Sequence, residues 1–498
     1  MSARLFVIRA TLALASIGVT QAEAVDRPNI LLIVADDLGW RDVGYHDSEI
    51  RTPHIDRLAR EGVELDRFYV QPMCSPTRAG LMTGKSPMRL GITRAIAKID
   101  ETGLPRSEKI LPQYLADAGY QRLMVGKWHL GHHTPDLFPQ ARGFEHFYGH
   151  VTGGIGYWDH NHGGGHDWQR NGETLREEGY TTHLITDEAI RLVEERDRAR
   201  PLFLYVAFNA PHTPNEAPHE AIAKYEEIDD PGRRVHAAMV DELDRAIGRI
   251  LSAFEREKML ENTIVFFTSD NGGLSPGLSS TPLRLLMQGI VAAYGERPLP
   301  TMLLEFLASM TLDGHSDNTP LPAGKGFVAE GGVRVPAAIW WPGHLERERF
   351  DGFMTISDVL PTILDAIGEE ASTPDDLDGR SRWNALTGDG PPGDPPDYVT
   401  ATLGSAPAIY RGRWKLVDPD APRLYDIYAD PYEERDVSTD KPEVVAALTE
   451  RLNAWPRGEG PATSPLSLVL DIDVFGGSED REPWADAAKR NARAARGN

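Results

Sequence analysis

Side chains that can bind a metal or move protons follow four short apolar runs of the sequence. The four groups are Asp36-Asp37, Lys127-Trp128-His129, Asn209-Ala210-Pro211-His212 and Asp270-Asn271-Gly272-Gly273. Carboxylate and amide oxygens are the ligands that hard cations such as Ca²⁺ and Mg²⁺ prefer. Lysine and histidine can hold an oxyanion and transfer protons. If the groups converge, we expect a metal and two or more cations around a tetrahedral anion.

Each group taken alone also has an ordinary structural explanation. An Asp-Asp pair at a strand end can cap a helix, and Asp-Asn-Gly-Gly is a common turn sequence. A lone lysine is usually solvated, and His212 can be a simple loop histidine. Three carboxylates gathered without a cation would repel one another and raise at least one pKa. Convergence of the acidic groups would therefore favour a metal site.

The segments around these groups have the pattern of an α/β protein. Continuous apolar runs at 29–35, 121–125, 201–208 and 263–268 predict buried strands of a parallel or mixed sheet. Helical patterns begin at Thr52-Pro53 and cover 111–119 and 241–254. In open α/β sheets, ligands bind beyond the carboxyl ends of the strands, so we expect the four groups to meet at one edge.

Composition narrows the class of protein. The chain has 498 residues, a hydrophobic content of 41% and a formal net charge of -23. This length suits one large domain plus a smaller one. The acidic balance argues against a nucleic-acid binder, which would need a basic face.

The N-terminus predicts export. Arg4 and Arg9 precede an apolar run over 11–19, and Ala22-Glu23-Ala24 is a small-x-small cleavage pattern. The run is shorter than the roughly 20 residues that span a bilayer. We therefore interpret 1–24 as a signal peptide rather than a membrane anchor, and we predict a periplasmic or secreted protein with no membrane span.

Cys74 is the only cysteine of the chain. A lone cysteine is most often a small buried hydrophobe. In an exported protein, however, an odd cysteine also suggests an intermolecular bond, a reactive thiol or a modified residue. Its neighbours form the pattern Cys74-Ser75-Pro76-Thr77-Arg78, that is, Cys-x-Pro-x-Arg.

This pattern resembles that of the type I sulfatases of the alkaline phosphatase superfamily. Further pieces occur in the family's order: Asp36-Asp37, CSPTRAGLMTG, GKWHLG, APHTP, TSDNGG, GKGFVAEGGVRVPAAIWWPG, SDVLPTILDAIG and LYDIYADPYEERD. Each piece alone is only suggestive, whereas the ordered set is highly specific. The stretch LPQYLADAGYQRLMVGKWHLG, followed by RGFEHFYG, is most similar to the arylsulfatase B branch, which acts on sulfated sugars.

The resemblance implies a fold and a domain organisation. We expect an alkaline-phosphatase-like α/β domain with a mixed, mostly parallel sheet flanked by helices, over 25–390. An insert with two apolar helical segments is expected at about 274–318, because the chain there is longer than in the family. A small C-terminal domain with an antiparallel sheet is expected over 391–498, with strands at 398–401, 408–410 and 414–417.

The resemblance also implies that Cys74 is a precursor. In sulfatases a dedicated maturation enzyme oxidises this cysteine to Cα-formylglycine, whose hydrate carries two hydroxyls. One hydroxyl attacks sulfur, and the other expels sulfate. The family fold places this residue at a helix start, where the helix dipole favours anions.

Site roles carried over from the family follow the matching motifs. The metal, Ca²⁺ rather than Mg²⁺, would be held by Asp36, Asp37, Cys74, Asp270 and Asn271. Arg78 would stabilise the diol, and Lys127 and Lys325 would grip the sulfate. Asp270 could also assist deprotonation of the attacking hydroxyl. His129 would take the proton that drives elimination, and His212, with Lys325, would assist the leaving oxygen.

Two rival functions remain open. A phosphate or phosphonate ester hydrolase of the same superfamily would use a similar metal cup. A sulfated-glycan binder without turnover would result if Cys74 stayed a thiol. We predict a sulfuric ester hydrolase whose partners are a sulfated saccharide or small molecule and the maturation enzyme.

Three further segments carry weaker signals. His160, His162 and His166 lie in a glycine-rich loop that could hold a second metal, although we favour a substrate pocket in which Trp158 or Trp168 stacks on a ring. Arg94 and His132 are candidates for the pocket rim. The charged, alanine-rich residues 486–498 predict a frayed helix.

Overall fold

The computed structural model describes residues 27–97, 100–162, 165–276, 314–345, 349–391, 397–402, 406–458 and 482–496. The predicted signal peptide and most of the predicted insert lie outside these residues. Within them, the chain forms a ten-stranded sheet flanked by helices, a four-stranded sheet and a two-stranded ribbon.

The strands have the following bounds. They are Asn29–Ala35 (β1), Val63–Tyr69 (β2), Gln121–Lys127 (β3), His146–His150 (β4), Asn161–His162 (β5), Gly165–His166 (β6), Gln169–Arg170 (β7), Glu173–Thr174 (β8), Leu202–Ala207 (β9), Thr263–Ser269 (β10), Ala337–Trp340 (β11), Arg349–Thr355 (β12), Tyr398–Thr400 (β13), Ala408–Arg411 (β14), Trp414–Val417 (β15) and Arg423–Asp426 (β16).

The α-helices that the structure describes have the following bounds. They are Pro53–Glu61 (α1), Cys74–Thr83 (α2), Leu111–Asp117 (α3), Thr181–Glu194 (α4), His219–Ile222 (α5), Pro231–Arg256 (α6), Glu330–Val333 (α7), Val359–Ala366 (α8), Trp383–Leu386 (α9), Pro442–Asn453 (α10) and Trp484–Arg496 (α11). No helix among the described residues is both long and apolar enough to cross a membrane.

The large sheet has the strand order β12-β2-β11-β10-β1-β9-β3-β4-β7-β8. Its central strands β10, β1, β9, β3 and β4 pair in parallel, whereas β11 and β7 run antiparallel to their neighbours. Parallel neighbours end at the same edge of a sheet, so the carboxyl ends of the central strands lie side by side. The predicted mixed, mostly parallel sheet is thereby confirmed.

Both faces of the sheet are buried, which explains why the middle positions of the central strands carry apolar side chains on both faces. Ile30, Leu32 and Val34 pack in one core with residues of α2, α3 and α8. Leu31, Ile33 and Ala35 pack in a second core with residues of α1, α4 and α6. Full burial of one such Leu, Ile or Val side chain contributes about 1.5–3 kcal/mol.

The predicted elements match the observed ones closely in the centre of the sheet. The strand predicted at 29–35 has those bounds, and the helix predicted at 241–254 is the second half of α6. That helix begins earlier because Asp230 caps it, with its side chain accepting the Arg233 N–H, and because Pro231 occupies the first helical position.

The C-terminal part forms a separate four-stranded antiparallel sheet, β13-β14-β15-β16, as predicted. Strand β16 was not among the predicted strands. Leu448 and Leu452 of α10 pack against Ile409 and Leu416 of this sheet. The domain boundary near residue 390 stays a prediction.

The prediction of a C-terminal helix is confirmed, but it did not include the docking of that helix on the domain. Residues 484–496 do form a helix, α11, but its Ala485 and Ala488 are buried in the core that also contains α2 and α3. Docking stabilises this helix because its small alanine face can approach the domain closely.

Candidate active site

The four groups singled out in the sequence meet at the carboxyl-terminal edge of the large sheet. Strands β10, β1, β9 and β3 are neighbours there, with Ala35 opposite Ser269 and Val34 opposite Ala207. Backbone hydrogen bonds join the loops that follow: the Asp36 N–H donates to Ala210 O, and the Asp270 N–H donates to Ala35 O, both at 3.0 Å. Strand register alone therefore brings the predicted groups together.

Three aspartates and one asparagine form the centre of this site. The Asn271 side-chain N–H donates to Asp37 Oδ1 at 2.7 Å, and the Asp37 backbone N–H lies 3.3 Å from Asp270 Oδ1. Asp37 has a left-handed backbone conformation, with φ of 67°. Such a conformation costs a non-glycine residue about 1–3 kcal/mol, so the surrounding contacts must maintain it.

Each aspartate is paired with a cation. Lys127 Nζ lies 2.5 Å from Asp36 Oδ2, and Lys325 Nζ lies 2.7 Å from Asp37 Oδ2. Arg78 Nη2 lies 2.7 Å from an Asp270 oxygen. These ion pairs allow three carboxylates to remain in one buried space, where unpaired charges would be costly.

Neighbouring charges set different pKa values for the first two aspartates. Burial, together with Asp270, raises the pKa of Asp36 to about 7, although Lys127 opposes the rise. Burial also acts to raise the pKa of Asp37, but Lys325 and His212 outweigh it and hold that pKa below its ordinary value. Asp37 is therefore the more firmly ionised of the two.

Cys74 is the first residue of α2, at the end of the loop that follows β2. Arg78 lies one helical turn later, on the same face, and donates from Nη1 to Lys127 O at 3.0 Å. The loop is fixed by the Gln71 N–H, which donates to Thr77 Oγ1 at 2.9 Å. Burial raises the pKa of the Cys74 thiol, although Lys127 and Lys325 oppose this. A buried thiol with a raised pKa is a weak nucleophile.

The donor atoms fit a hard divalent cation. Ligand atoms of Asp36, Cys74 and Asp270 lie within 4.8 Å of one another, as do those of Asp36, Asp37 and His212. Asp36 Oδ1 and Asn271 Oδ1 are buried and have no hydrogen-bond partner among the described residues. Buried oxygens are almost always satisfied, so two unsatisfied ones in an acidic cup indicate a bound ion.

His129 is held by two hydrogen bonds, one from its ring and one to its backbone carbonyl. Its Nε2–H donates to Ile96 O at 3.1 Å, while its own carbonyl accepts from Ser75 Oγ at 2.9 Å. In the neutral ring, Nδ1 then carries the lone pair, and this buried atom has no hydrogen-bond partner in the described part of the chain. Burial, reinforced by Lys127, lowers the pKa of His129 well below its ordinary value. Nδ1 of His129 is thus available to accept a proton.

His212 faces the same cup from the loop after β9. Its Nδ1–H donates to Thr213 O at 2.6 Å, and its Nε2 lies 3.7 Å from Asp37 Oδ2. Burial lowers the pKa of His212 to about 3, with Lys325 adding to the effect. The ring is therefore neutral, with its Nε2 lone pair directed toward the acidic residues.

A glycine pair covers both histidine rings. A Cβ atom at Gly153 would lie 2.8 Å from the His129 ring, and one at Gly154 would lie 2.9 Å from the His212 ring. Side-chain atoms at these positions would displace the rings, so glycine is required for this close approach.

His150 belongs to this region but was not among the predicted site residues. It ends β4 and pairs in register with Lys127, and it is fully buried. Neither ring nitrogen has a hydrogen-bond partner among the residues that the structure describes. The signal in the sequence is the short aromatic stretch Phe147-Tyr148, which is also followed by a chemistry-capable residue, His150.

Among the described residues, the histidines of the glycine-rich loop do not gather into a second metal cluster. His160, His162 and His166 donate to backbone carbonyls of Gly179, Gly154 and Leu175. These contacts orient the three rings for structural roles.

The aromatic residues suggested for stacking differ in access. Trp168 is buried and donates to Glu177 at 2.7 Å, so the suggestion that it stacks on a substrate ring was wrong. Trp158 is 50% exposed and remains available. Of the rim candidates, Arg94 pairs with Asp100, and His132 is buried against Trp484.

Lys325 reaches the site from the segment that follows the predicted insert. Its backbone N–H donates to Gly273 O at 3.0 Å, next to Asn271. The two ends of the chain around the undescribed residues 277–313 are tied together by Asn318. Its side chain accepts from the Gly273 N–H at 2.9 Å and donates to Ser275 Oγ at 2.7 Å. This tie supports the identification of Lys325 across the insert.

The structure thus brings all the predicted site residues to one edge of the sheet, while their roles stay predictions. They are Asp36, Asp37, Cys74, Arg78, Lys127, His129, His212, Asp270, Asn271 and Lys325.

Comparisons with known proteins point to one family. The family model described as Sulfatase matches residues 28–369. Arylsulfatase J of Mus musculus is 33% identical over 481 residues, which cover 88% of this chain and 77% of that protein. N-acetylgalactosamine-6-sulfatase of Mus musculus is 33% identical over 392 residues, which cover 74% of this chain and 68% of that protein.

A solved structure extends the likeness to three dimensions. The crystal structure of Ps i-CgsB in complex with k-i-k-neocarrahexaose has a TM-score of 0.76 and 28% sequence identity. The match covers 90% of this chain and 98% of that one. The more specific likeness to the arylsulfatase B branch stays a prediction.

Proposed function

This chain belongs to the sulfatase family and is a sulfuric ester hydrolase, and from that premise we propose that it desulfates saccharide or aryl sulfates with a formylglycine formed from Cys74 and a bound calcium ion. The observation that carries the proposal is the acidic cup beside Cys74. Two buried oxygens there, Asp36 Oδ1 and Asn271 Oδ1, have no hydrogen-bond partner among the described residues. We further propose that the protein is exported and that a maturation enzyme modifies it.

The metal ligands we propose are residue 74 and the four oxygen donors of the cup, which are Asp36, Asp37, Asp270 and Asn271. Calcium accepts six to eight oxygen ligands in flexible geometry, which suits carboxylate and amide donors contributed by two separate segments. When bound, the ion would act as a Lewis acid toward a sulfate oxygen.

Residue 74 is placed for attack on a bound anion. It begins α2, whose first backbone N–H groups favour negative charge at that end of the helix. Formylglycine at this position would supply one hydroxyl for attack on sulfur and a second for release of sulfate. Arg78, fixed between Asp270 and the Lys127 carbonyl, is close enough to orient that group.

Lys127 and Lys325 would hold the sulfate from two sides. Both ammonium groups are held in place, because each lies within 2.7 Å of an aspartate oxygen. Preorganised charges of this kind stabilise charge that develops in the transition state without further reorganisation.

The two histidines suit opposite proton transfers. His129 presents a free Nδ1 lone pair in the described structure, as expected for the base that removes a hydroxyl proton during sulfate release. His212 must first acquire a proton at Nε2 before it can assist the leaving oxygen. An anionic substrate favours this step because it offsets Lys325, whose charge lowers the pKa of His212.

A saccharide substrate is favoured over a purely aryl one by the surroundings. Trp158 is half exposed and follows Tyr157, whose hydroxyl donates to His212 O at 2.9 Å. An exposed indole next in sequence to a residue that contacts His212 suits stacking on a sugar ring. The names of two relatives, one an N-acetylgalactosamine-6-sulfatase and one solved with a neocarrahexaose, support the same choice.

The test is a desulfation screen over defined sulfated sugars and aryl sulfates, with matured protein and its Cys74→Ala variant. We expect sulfate release by the matured protein and none above background by the variant. Mass analysis of the peptide that contains residue 74 should show the aldehyde. Chelation of calcium should abolish turnover, and added calcium should restore it better than magnesium.

The rival activities make different predictions in the same assays. A phosphate or phosphonate ester hydrolase would turn over matched aryl phosphates faster than aryl sulfates. A sulfated-glycan binder would retain a thiol at residue 74 under conditions that support maturation. Either result would overturn the proposed mechanism.

A further inference from the structure

The C-terminal helix α11 is attached to two loops near the active site. Lys489 lies 2.8 Å from Glu173, at the start of β8, and the Asn491 side chain donates to His133 O at 3.0 Å. His133 belongs to the segment that follows β3 and carries His129. The last helix of the chain is thus built into the rim of the site rather than free in solvent.

Trp484, the first residue of this helix, connects it to the segments that carry His132 and His162. Its ring packs edge-to-face on His132, with ring centroids 5.1 Å apart, and lies 6.2 Å from the His162 ring. Its indole N–H donates to His162 O at 3.1 Å. A Cβ atom at Gly165 would lie 3.0 Å from the indole nitrogen, so the loop backbone is in direct contact with the indole.

His162 carries the contact onward to the catalytic histidines. Its Nδ1–H donates to Gly154 O. Gly154 packs on the His212 ring, and Gly153 packs on the His129 ring. A continuous set of contacts therefore runs from Trp484 through His162 and the glycine pair to both rings.

The glycine pair needs an external anchor. Glycine has more backbone freedom than any other residue, so a Gly-Gly segment does not by itself keep one conformation. The glycines cannot be replaced, because a Cβ atom would collide with the histidine rings. A contact from elsewhere in the chain must therefore hold the segment over the site, and the Trp484–His162 hydrogen bond is placed to do so.

We propose that Trp484 is a positioning residue that holds the 153–162 segment against His129 and His212, and thereby aligns His212 with the leaving oxygen of the substrate. The inference rests on the proposed function, in which His212 assists that oxygen. Trp484 itself does not touch the reacting atoms. Its loss should impair reactions that depend on His212 more than those that do not.

A series of substituted phenyl sulfates separates these cases. Nitrophenolate is a stable anion and leaves without protonation, whereas the more basic phenolates depend on a proton donor. We expect Trp484→Ala to lower kcat/KM about tenfold more for 4-methoxyphenyl sulfate than for 4-nitrophenyl sulfate. The dependence of kcat/KM on leaving-group basicity should become steeper, as it should in His212→Ala.

Two further variants control for folding. Trp484→Phe keeps the ring packing and loses only the N–H donor, so it should show a smaller steepening in a fully folded protein. Lys489→Ala removes the ion pair to Glu173 on the same helix and should leave the slope unchanged. Thermal unfolding of each variant identifies any loss of folded protein.

Each remaining outcome decides against the inference. Equal losses across the whole series in both Trp484 variants, with a steeper slope in His212→Ala, would reduce Trp484 to a stabilising contact. An unchanged slope in His212→Ala would remove the role of His212 and the inference with it. Absence of sulfate release by the matured wild-type protein from both the aryl sulfates and the sulfated sugars of the screen would overturn the proposed function itself.

Discussion

Two buried clusters of charges differ in how completely their polar atoms are paired. The first lies between the large sheet and the C-terminal sheet and centres on Glu330 and Lys415. Glu330 accepts from the Tyr69 hydroxyl at 2.8 Å, and from the Tyr410 hydroxyl and the Lys415 ammonium at 3.1 Å. Glu433 Oε1 makes no hydrogen bond among the described residues, but it lies 2.6 Å from the Lys415 ammonium, so its charge is paired. We call this the interdomain cluster.

The active-site cluster contains similar groups that are also buried, but several of its polar atoms have no hydrogen-bond partner among the described residues. Asp36 Oδ1, Asn271 Oδ1 and His129 Nδ1 have no hydrogen-bond partner within the described ranges. A satisfied buried network stabilises one structure, whereas vacant buried atoms cost free energy unless a ligand occupies them. The difference fits a structural role for the interdomain cluster, and it leaves the unpaired atoms of the active-site cluster free to contact the metal and substrate that we propose.

The largest expected effect concerns a vacant atom of the active-site cluster. His129→Asn should lower kcat/KM for an aryl sulfate about 10³-fold, because general base catalysis is lost. Asparagine tolerates the left-handed backbone at this position, where φ is 54°. The free energy of unfolding should change by less than about 1.5 kcal/mol. Steady-state kinetics and chemical denaturation measure the two quantities, and a large loss of stability would argue against a purely catalytic role.

The interdomain cluster should respond in the opposite way. Lys415→Met leaves Glu330 and Glu433 buried without their shared cation, which should destabilise the protein by about 3 kcal/mol. Activity per folded molecule should stay within about twofold. Denaturation combined with active-site titration tests this, with Lys489→Ala as the surface control. A fall in kcat for the folded fraction would contradict the claim that the interdomain cluster contributes to stability and not to activity.

His150 offers a sharper test, because its burial is complete and both ring nitrogens lack partners in the described chain. His150→Leu removes two unsatisfied polar atoms, so stability should stay level or rise. If these atoms face substrate oxygens beside Lys127, activity should fall about tenfold. Unchanged activity would show that the unpaired ring nitrogens of His150 have no role in catalysis.

The smallest effect concerns a vacant oxygen outside both clusters. Asp244 Oδ1 accepts the N–H groups of His54 and Ile55 at the start of α1, while Oδ2 is buried without a partner among the described residues. Burial raises the pKa of this carboxyl from its ordinary 3.8 to about 7.

This shift predicts a pH dependence of stability. The folded pKa lies above the unfolded value, so the contribution is fully present below pH 4 and is lost as the pH rises through about 7. Between pH 5 and 6, wild-type stability should fall by about 1 kcal/mol relative to Asp244→Asn. Activity should be equal in the two proteins, and a parallel pH dependence of their stabilities would contradict the assignment.

The sequence predicted most of the sheet centre and the site. Each continuous apolar run is followed by a reactive group, and parallel neighbouring strands end at the same edge of the sheet. Asp36, Lys127 and Asp270 are therefore expected to lie close together. The side-chain pairing was less predictable. Lys127 forms an ion pair with Asp36, and Lys325 forms one with Asp37. These pairings depend on how the end of a strand and a loop distant in sequence position the two long side chains.

Two features were missed for the same physical reason. The docking of the C-terminal helix was not predicted because its sequence is charged and rich in alanine, yet alanine also permits close docking, as at Ala485 and Ala488. Trp168 was predicted as a possible stacking residue, although its indole is buried against Tyr148. Local composition does not show which apolar surface elsewhere in the chain will cover a residue.

The tie made by Asn318 has a consequence for how this fold can diversify. Gly273 and Ser275 are hydrogen-bonded to Asn318. The number of residues between Ser275 and Asn318 can therefore change without moving Asn271 or Lys325. Closing a loop twice as long costs only about 0.6 kcal/mol more. New sequence could therefore be grafted at this point, by evolution or by an engineer, with the reactive groups left in register.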